Sequence, residues 1–190
     1  MGKVVDKRAA VLDAALRLFT EQGFHGSPTS RIAKEAGIGT GTLFHYFKTK
    51  EELINRLYLE IKSELITDLS AGLEEERTIR GKIRRLWLNS LKWGMDNPEK
   101  SRFFSQFSSS PYISALTREE ATEHLRFMHD LIDEGKRQDV LKDMPTDLIF
   151  DFTCGVVQGT TQHFFEYPDK FRDEDYLEMA FTMFWDSIRR

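Results

Sequence analysis

The stretch TSRIAKEAGIGTGTLFHYFKTKEEL, Thr29 to Leu53, decides how this chain is read. Just before it, Ser27 is a strong N-cap type and Pro28 suits a first helical position, where its missing N–H costs nothing. The pattern therefore predicts a helix from Pro28 to about Ala36, with Ile32, Ala33 and Ala36 on its inward face. Small alanines there admit a second helix at close range. Gly37 is placed to take the left-handed conformation that ends a helix, and Ile38 to plug the corner. A second helix is expected from Gly39 or Thr40. Within it Leu43 and Phe47, four apart, face the core, and Thr42, His45 and Tyr46 take the outward side. Donors, acceptors and aromatic edges presented beyond a glycine corner suit a helix that reads bases in the DNA major groove. Thr49 and Glu52 then form a capping box that opens a third, long helix.

These residues resemble the DNA-binding domain of the TetR family of transcriptional regulators. Ile32, Ala33, Ala36, Gly37, Gly41, Thr42, Leu43, Tyr46, Phe47, Lys50, Glu51 and Leu53 stand in the family's register. The close likeness covers about the first quarter of the chain, and the rest is similar in length and all-helical pattern. Two positions depart from the family. Gly39 replaces a frequent serine N-cap, a change of a few tenths of a kcal/mol. Phe44 replaces a tyrosine, so its ring can touch a thymine methyl but cannot donate to phosphate. The resemblance implies that Ser27, Thr29, Ser30 and Arg31, with Lys50, mainly hold phosphates. Thr40, Gly41, Thr42, Phe44, His45 and Tyr46 would sit in or beside the groove, Gly41 letting the backbone approach DNA closely.

The whole chain bounds this reading. Its 190 residues, 40% hydrophobic, with 12 glycines and 5 prolines, can bury one or two modest cores. The single Cys154 excludes an internal disulfide framework, which makes a reducing cytoplasm the expected compartment. No apolar run approaches the roughly 20 residues needed to span a bilayer. Met1-Gly2-Lys3 opens without a hydrophobic signal core, and Asp6 argues against myristoylation. Residues 1–56 hold 9 of the 27 Lys and Arg and 6 of the 31 Asp and Glu, net +3, leaving −7 on the other 134 and −4 overall. Only the expected reader is basic. Because phosphate neutralisation acts within a Debye length, a locally positive face is sufficient.

In chain order, residues 4–22 carry Val4, Ala9, Val11, Leu12, Ala15, Leu16, Leu18 and Phe19 at helical spacing, ending at Gly23, with Phe24 stapling the loop to the core. Lys3, Lys7 and Arg8 lie along the DNA backbone or in solvent. The helix opened by Thr49 runs through Leu53, Leu57, Ile61 and Leu65 to about Ser70. After Gly72 and a Glu-rich connection, Ile83, Leu86, Trp87, Leu91 and Trp93 predict a helix over 78–95. Asn97-Pro98 starts the next, 99–108, which carries Phe103, Phe104 and Phe107. Thr117 and Glu120 mark a second capping box, opening a helix that presents Leu125, Phe127, Met128, Leu131 and Ile132 and ends at Gly135. Thr146 caps a helix over 147–166, and 173–188 forms the last, with Pro168 and Asp169 in the turn between. The fold class expected is all-α: a three-helix helix-turn-helix DNA-binding domain over 1–56, then a helical ligand-binding and dimerisation domain over 57–190.

Residues 148–165 are apolar or small around much of the helix circumference, more than one buried face requires. The TetR resemblance implies that the C-terminal helix pair docks on its mate as a four-helix bundle. The homodimer expected from it uses Phe152, Val156, Gly159, Thr160, His163, Phe181, Phe184 and Trp185. A two-fold dimer presents its readers one DNA turn apart, about 34–36 Å, or at a longer in-phase spacing, and so favours a palindromic operator. The resemblance also implies an inducer held by the central helices. Eighteen of the 23 aromatics follow residue 56. Tyr58, Trp87, Trp93, Phe104, Phe107, Phe127 and Phe152, with Asp151 or Gln158 as polar handles, are candidate contacts for a lipophilic, aromatic or cationic small molecule. Trp87 to Trp93 followed by Asn97-Pro98 resembles multidrug-responsive, AcrR/RamR-like members. Taken together, the resemblance implies a ligand-responsive repressor, released when inducer shifts the helix from Lys50 to Ser70.

An enzyme or a metal protein is the rival class. His25, His45, His124, His129 and His163 form no HExxH pair, and His124 and His129, five apart, point to different helix faces. Asp130, Asp133 and Glu134 read as a solvated helix face, and Cys154 as an inert small hydrophobe in an apolar helix. No glycine-rich phosphate loop follows a strand, so no catalytic residue, cofactor or metal is expected. The alternatives are a helical metal- or redox-sensing protein and a helical interaction module. The module has no use for an outward Thr42, His45, Tyr46 face.

Overall fold

A computed structural model describes residues 6–108 and 110–190 and, for residues 116, 118, 121 and 122, the backbone. Lys3 and Val4, expected at the start of the first helix, lie outside the described residues. The described residues form α1 (Lys7–Gln22), α2 (Thr29–Glu35), α3 (Thr40–Tyr46), α4 (Lys50–Ser70), a 3-10 turn (Leu73–Glu75), α5 (Ile79–Asp96), α6 (Pro98–Phe107), α7 (Ala115–Glu123), α8 (Arg126–Arg137), α9 (Thr146–Glu166), α10 (Pro168–Phe171) and α11 (Glu174–Ile188). Among them there is no strand, only an isolated bridge between Leu141 and Arg189. The fold is all-α, as the periodicity predicts.

Local chemistry sets the helix ends. Asp6 accepts from the Arg8 and Ala9 amides and caps α1, and Gly23 closes it at φ 70°. Past α2, Gly37 sits at φ 68°, and two amides bond backwards, Gly37 to the Lys34 carbonyl at 3.1 Å and Ile38 to the Ala33 carbonyl at 3.0 Å. This is a Schellman closure. Thr49 caps α4, its Oγ1 accepting from the Glu52 amide at 3.0 Å, and the return bond is shifted by one residue, the Lys48 amide donating to Glu52 Oε2 at 2.7 Å.

Three caps differ from expectation. Pro28, not Ser27, occupies the N-cap of α2, because the Ser27 hydroxyl is turned into the core. The expected box at Thr117 is displaced by Ser114, whose Oγ accepts from the Thr117 amide at 3.0 Å, so the helix begins at Ala115. That helix also stops at Glu123, and α8 restarts at Arg126. Thr146 lies one residue inside α9, and its hydroxyl donates to Asp133 on α8 while accepting from Lys136 Nζ at 3.1 Å. The Thr146 bond, with Lys136 nearby, holds the Asp133 carboxyl below its usual pKa.

The chain divides into two compact units. One runs to Lys62 and takes in Pro98–Ala121; the other comprises Ser63–Asn97 and Thr122–Arg190. In the first, α1 packs on α2, α3 and α6. Phe19, Ile32, Leu43, Phe47, Leu53, Ile54 and Phe103 there are at most 1% exposed. In the second, α5 and α8 pack on α9, and α11 closes the core. Trp87 lies 5.6 Å from the Phe181 ring and is stacked 6.4 Å from Phe184. Phe181, Phe184 and Trp185, expected to meet a mate, are therefore interior residues of a single chain, 1%, 2% and 8% exposed. Cys154, expected inside an apolar helix, is exposed.

Close approach of α5 and α9 rests on Gly94. A Cβ there would lie 2.7 Å from Thr161 Cγ2, and Thr161 is itself buried and bonded to the Val157 carbonyl. A Gly94→Ala variant is expected to lose about 1–3 kcal/mol of stability. That loss should outweigh the ~1 kcal/mol that Ala ordinarily gains over Gly in a helix. A denaturant midpoint equal to or above wild type would contradict the packing.

Candidate nucleic-acid interface

α3 has seven residues, and two side chains seat it: Leu43 at 0% and Phe47, at its C-cap, at 1% exposure. The other side is left open. Gly41, Phe44, His45 and Tyr46 are exposed, and Thr40 and Thr42 half-buried. A Cβ at Gly39 or Gly41 would meet nothing within 4 Å among the described residues, so the backbone there is accessible to another surface. The His45 and Tyr46 rings meet edge to face, 5.7 Å apart.

The residues expected on phosphates divide into two groups. Thr29 is half-buried, and Ser30 and Arg31 are exposed in the first turn of α2. Arg31 donates to Gln22 Oε1 at 2.7 Å and to Glu35 Oε1 at 3.2 Å. Surface pairs of this kind contribute about 0–1 kcal/mol and are readily exchanged for a phosphate. Ser27 and Lys50, by contrast, turn inward. Ser27 is fully buried, and its hydroxyl proton is shared between the Leu18 and Gly23 carbonyls, at 2.8 and 2.7 Å. Lys50 Nζ donates to the Phe24 carbonyl and lies 4.3 Å from the centre of the Phe24 ring, and burial pushes its pKa below the usual lysine value. Both side chains satisfy or cover the α1–α2 loop, whose buried carbonyls need donors. They shape the reader and do not face outward with it. Lys48, two residues past Tyr46, is exposed.

The residues expected around an inducer fall in three places. Tyr58 and Phe104 meet edge to face at 5.4 Å, and with Phe107 they belong to the first unit. Trp87 and Trp93 are buried in the second unit, where Phe127 is half-buried. Asp151, Phe152 and Gln158 lie on the exposed side of α9 and so do not line that interior. Trp87 has one further feature: its buried indole N–H has no acceptor among the described residues.

Of the residues expected between two copies, Phe152 is 45% exposed and Gly159 is open, with no atom of the described residues within 4 Å of an added Cβ. Val156 and Thr160 are half-buried. His163 is held within the chain, its Nε2 3.0 Å from the Tyr176 hydroxyl. Leu148, Phe152, Gly155 and Gly159 recur at helical spacing as an exposed apolar or small stripe on α9. Met179 and Met183 stand out from α11 at 61% and 77% exposure.

Among the described residues, no three or more His, Cys, Asp or Glu are grouped to hold a metal ion, and no helix is long and apolar enough to cross a membrane.

Two family models match the chain, and the C-terminal one includes residues 98–121, which pack with the first compact unit. Residues 11–57 match the bacterial regulatory proteins of the tetR family, and residues 79–189 match the tetracyclin repressor-like C-terminal domain. A TetR family transcription regulator from Shewanella sp. PV-4 is 34% identical, with 97% of this chain and 98% of that one covered and a TM-score of 0.91. The fatty acid metabolism regulator protein of Bacillus subtilis (strain 168) is 35% identical over 77 residues, spanning 40% of either chain. The transcriptional regulator FadR from Bacillus subtilis, in complex with stearoyl-CoA, has the same fold at 20% identity, with 94% of this chain and 95% of that one covered and a TM-score of 0.73. An anchored recognition helix behind a Schellman corner, matches over both parts of the chain and a relative alike over nearly its full length lead to one conclusion: the chain belongs to the TetR family of helix-turn-helix transcriptional regulators.

Proposed function

We propose that the chain is a homodimeric repressor that grips a palindromic operator and lets go when a small lipophilic inducer binds. The open side of α3 carries this reading, since Gly41, Phe44, His45 and Tyr46 are exposed while Leu43 and Phe47 hold the helix from behind. Thr40, Gly41, Thr42, Phe44, His45 and Tyr46 enter or flank the major groove, and Thr29, Ser30, Arg31 and Lys48 hold phosphates. Residues 1–56 carry the DNA contacts, and residues 57–190 serve the inducer and the mate. The protein works where its DNA is, in the cytoplasm, and catalyses no reaction.

The mating surface is the stripe Leu148, Phe152, Gly155 and Gly159 on α9 together with Met179 and Met183 on α11, because large apolar side chains there are left in water. The inducer lodges in the second unit. Trp87 offers it a donor: an unpaired buried N–H costs about 1–3 kcal/mol, which a ligand acceptor would recover. The stearoyl-CoA held by the Bacillus subtilis FadR makes long-chain acyl-CoA thioesters the first class to try. Binding biases α4 toward a spacing at which two readers no longer fit one operator, so inducer must prefer that spacing.

Titration of the purified chain against DNA from upstream of its own and neighbouring genes, across a salt series, tests the first claim. One fragment should bind at least about 10³-fold more tightly than the rest and weaken linearly in log salt. Tyr46→Ala should abolish that preference. Equal weak binding to every fragment, with no small molecule released on denaturing the protein, would refute the reading. A second comparison separates the two lysines: Lys48→Met should flatten the salt slope by about 0.9 for each phosphate it neutralises, whereas Lys50→Met should leave it unchanged. In sedimentation, Phe152→Glu should yield monomers, and a dimer that persists in both Phe152→Glu and Met183→Glu would place the mating surface elsewhere.

A further inference from the structure

The α1–α2 loop, residues 23–28, fixes how α2 leaves α1, and one face of it is covered from outside the helix-turn-helix. Lys50 lies against the Phe24 ring at 4.3 Å. Tyr112, from the segment that follows α6, stacks on the same ring at 4.0 Å between centroids and 12° between planes. The Tyr112 hydroxyl reaches His25 Nε2 at 2.5 Å, and the His25 and Tyr112 rings also meet edge to face.

The segment bearing Tyr112 is itself fastened. Asn55 on α4 donates to the Tyr112 carbonyl at 2.9 Å and accepts from the Ser114 amide at 2.8 Å, which engages both ends of its side-chain amide on one stretch of backbone. On α6, Gln106 donates to the Thr20 carbonyl in the last turn of α1 at 3.3 Å. All of these residues belong to the first compact unit. The loop is thus braced by residues about ninety positions downstream and beyond the 11–57 stretch that matches the family's DNA-binding segment.

We propose that Tyr112 is a positioning residue for the DNA reader: held by Asn55, it clamps Phe24 and His25 and thereby sets the angle at which α2 and α3 are presented. The assignment rests on the DNA-binding reading above. A fixed presentation matters because a recognition helix misplaced by a small rotation loses base contacts while its phosphate contacts adapt. Displacement of residues 110–114 therefore reaches the reader through the loop, in addition to any shift of α4.

The test uses the full chain. Tyr112→Ala should speed amide hydrogen exchange across residues 23–30 and lower operator affinity by about three- to tenfold, the range of an aromatic stack. The salt slope and the affinity for unrelated DNA should stay at wild-type values, since every phosphate keeps its partner. Tyr112→Phe keeps the stack and should fall between the two. Asn55→Ala, which releases the segment without touching the loop, should move both readouts in the same direction, and it substitutes for Tyr112→Ala should that variant fail to fold. Wild-type exchange and affinity in these variants would overturn the assignment, as would a loss of affinity accompanied by a flatter salt slope. A wild-type chain with no selective DNA binding would refute the regulator reading instead, and the exchange measurement would still decide the brace.

Discussion

The seating of Leu43 and Phe47 is the constraint on which the open side of α3 depends. A helix of seven residues has no independent stability, since nucleation costs more than so few hydrogen bonds return. α3 persists because two side chains four apart are buried at 0% and 1% in a core shared with α1 and α2. Burying those two also fixes the rotation of the helix about its own axis. Gly41, Phe44, His45 and Tyr46 are outward as a geometric consequence, and the left-handed Gly37 sets the corner from which the helix starts.

The same core explains why some polar side chains are withheld from the surface. The Leu18 carbonyl near the end of α1 and the Gly23 and Phe24 carbonyls of the loop after it are each met by a donor from Ser27 or Lys50. A buried carbonyl left without a donor costs about 1–3 kcal/mol. Thus Lys50 and Ser27 are engaged within the fold, whereas Arg31, Lys34 and Lys48 are exposed.

In the second unit, α9 and α11 are apolar on two sides for different reasons. Ile149, Phe164, Phe181, Phe184 and Trp185 turn inward on Trp87, where large rings fill the space between helices. Leu148, Phe152, Met179 and Met183 turn outward and remain uncovered in a single chain. Gly94 allows the α5 and α9 backbones to meet at Thr161, whereas Gly155 and Gly159 face open space. Small residues in one bundle therefore serve two opposite ends: one admits a neighbour within the chain, and the others leave a surface free for close approach.

Much of this was legible in the sequence. Most of the helices, the Gly37 corner, the Thr49 cap, and the inward Leu43 and Phe47 against the outward Tyr46 follow from spacing and capping chemistry, which act over three or four residues, but the break between α7 and α8 and the short α10 at Pro168 did not. Expected caps failed where a competitor stood nearby, as Ser114 does for Thr117, or where the hydroxyl found another partner, as Ser27 does at the Leu18 and Gly23 carbonyls and Thr146 at Asp133. The tertiary structure alone decided which apolar residues are core and which are surface. Phe181 and Phe184 could not be separated from Met183 by composition, nor Asp151 and Gln158 placed outside the interior, because burial depends on which helices meet. The inward turn of Ser27 and Lys50 and the contact of Tyr112 with Phe24 and His25 were equally hidden. Apart from Ser27, whose acceptors lie four and nine residues back, the energies involved belong to pairings between residues far apart in the chain, and no local pattern records such pairings.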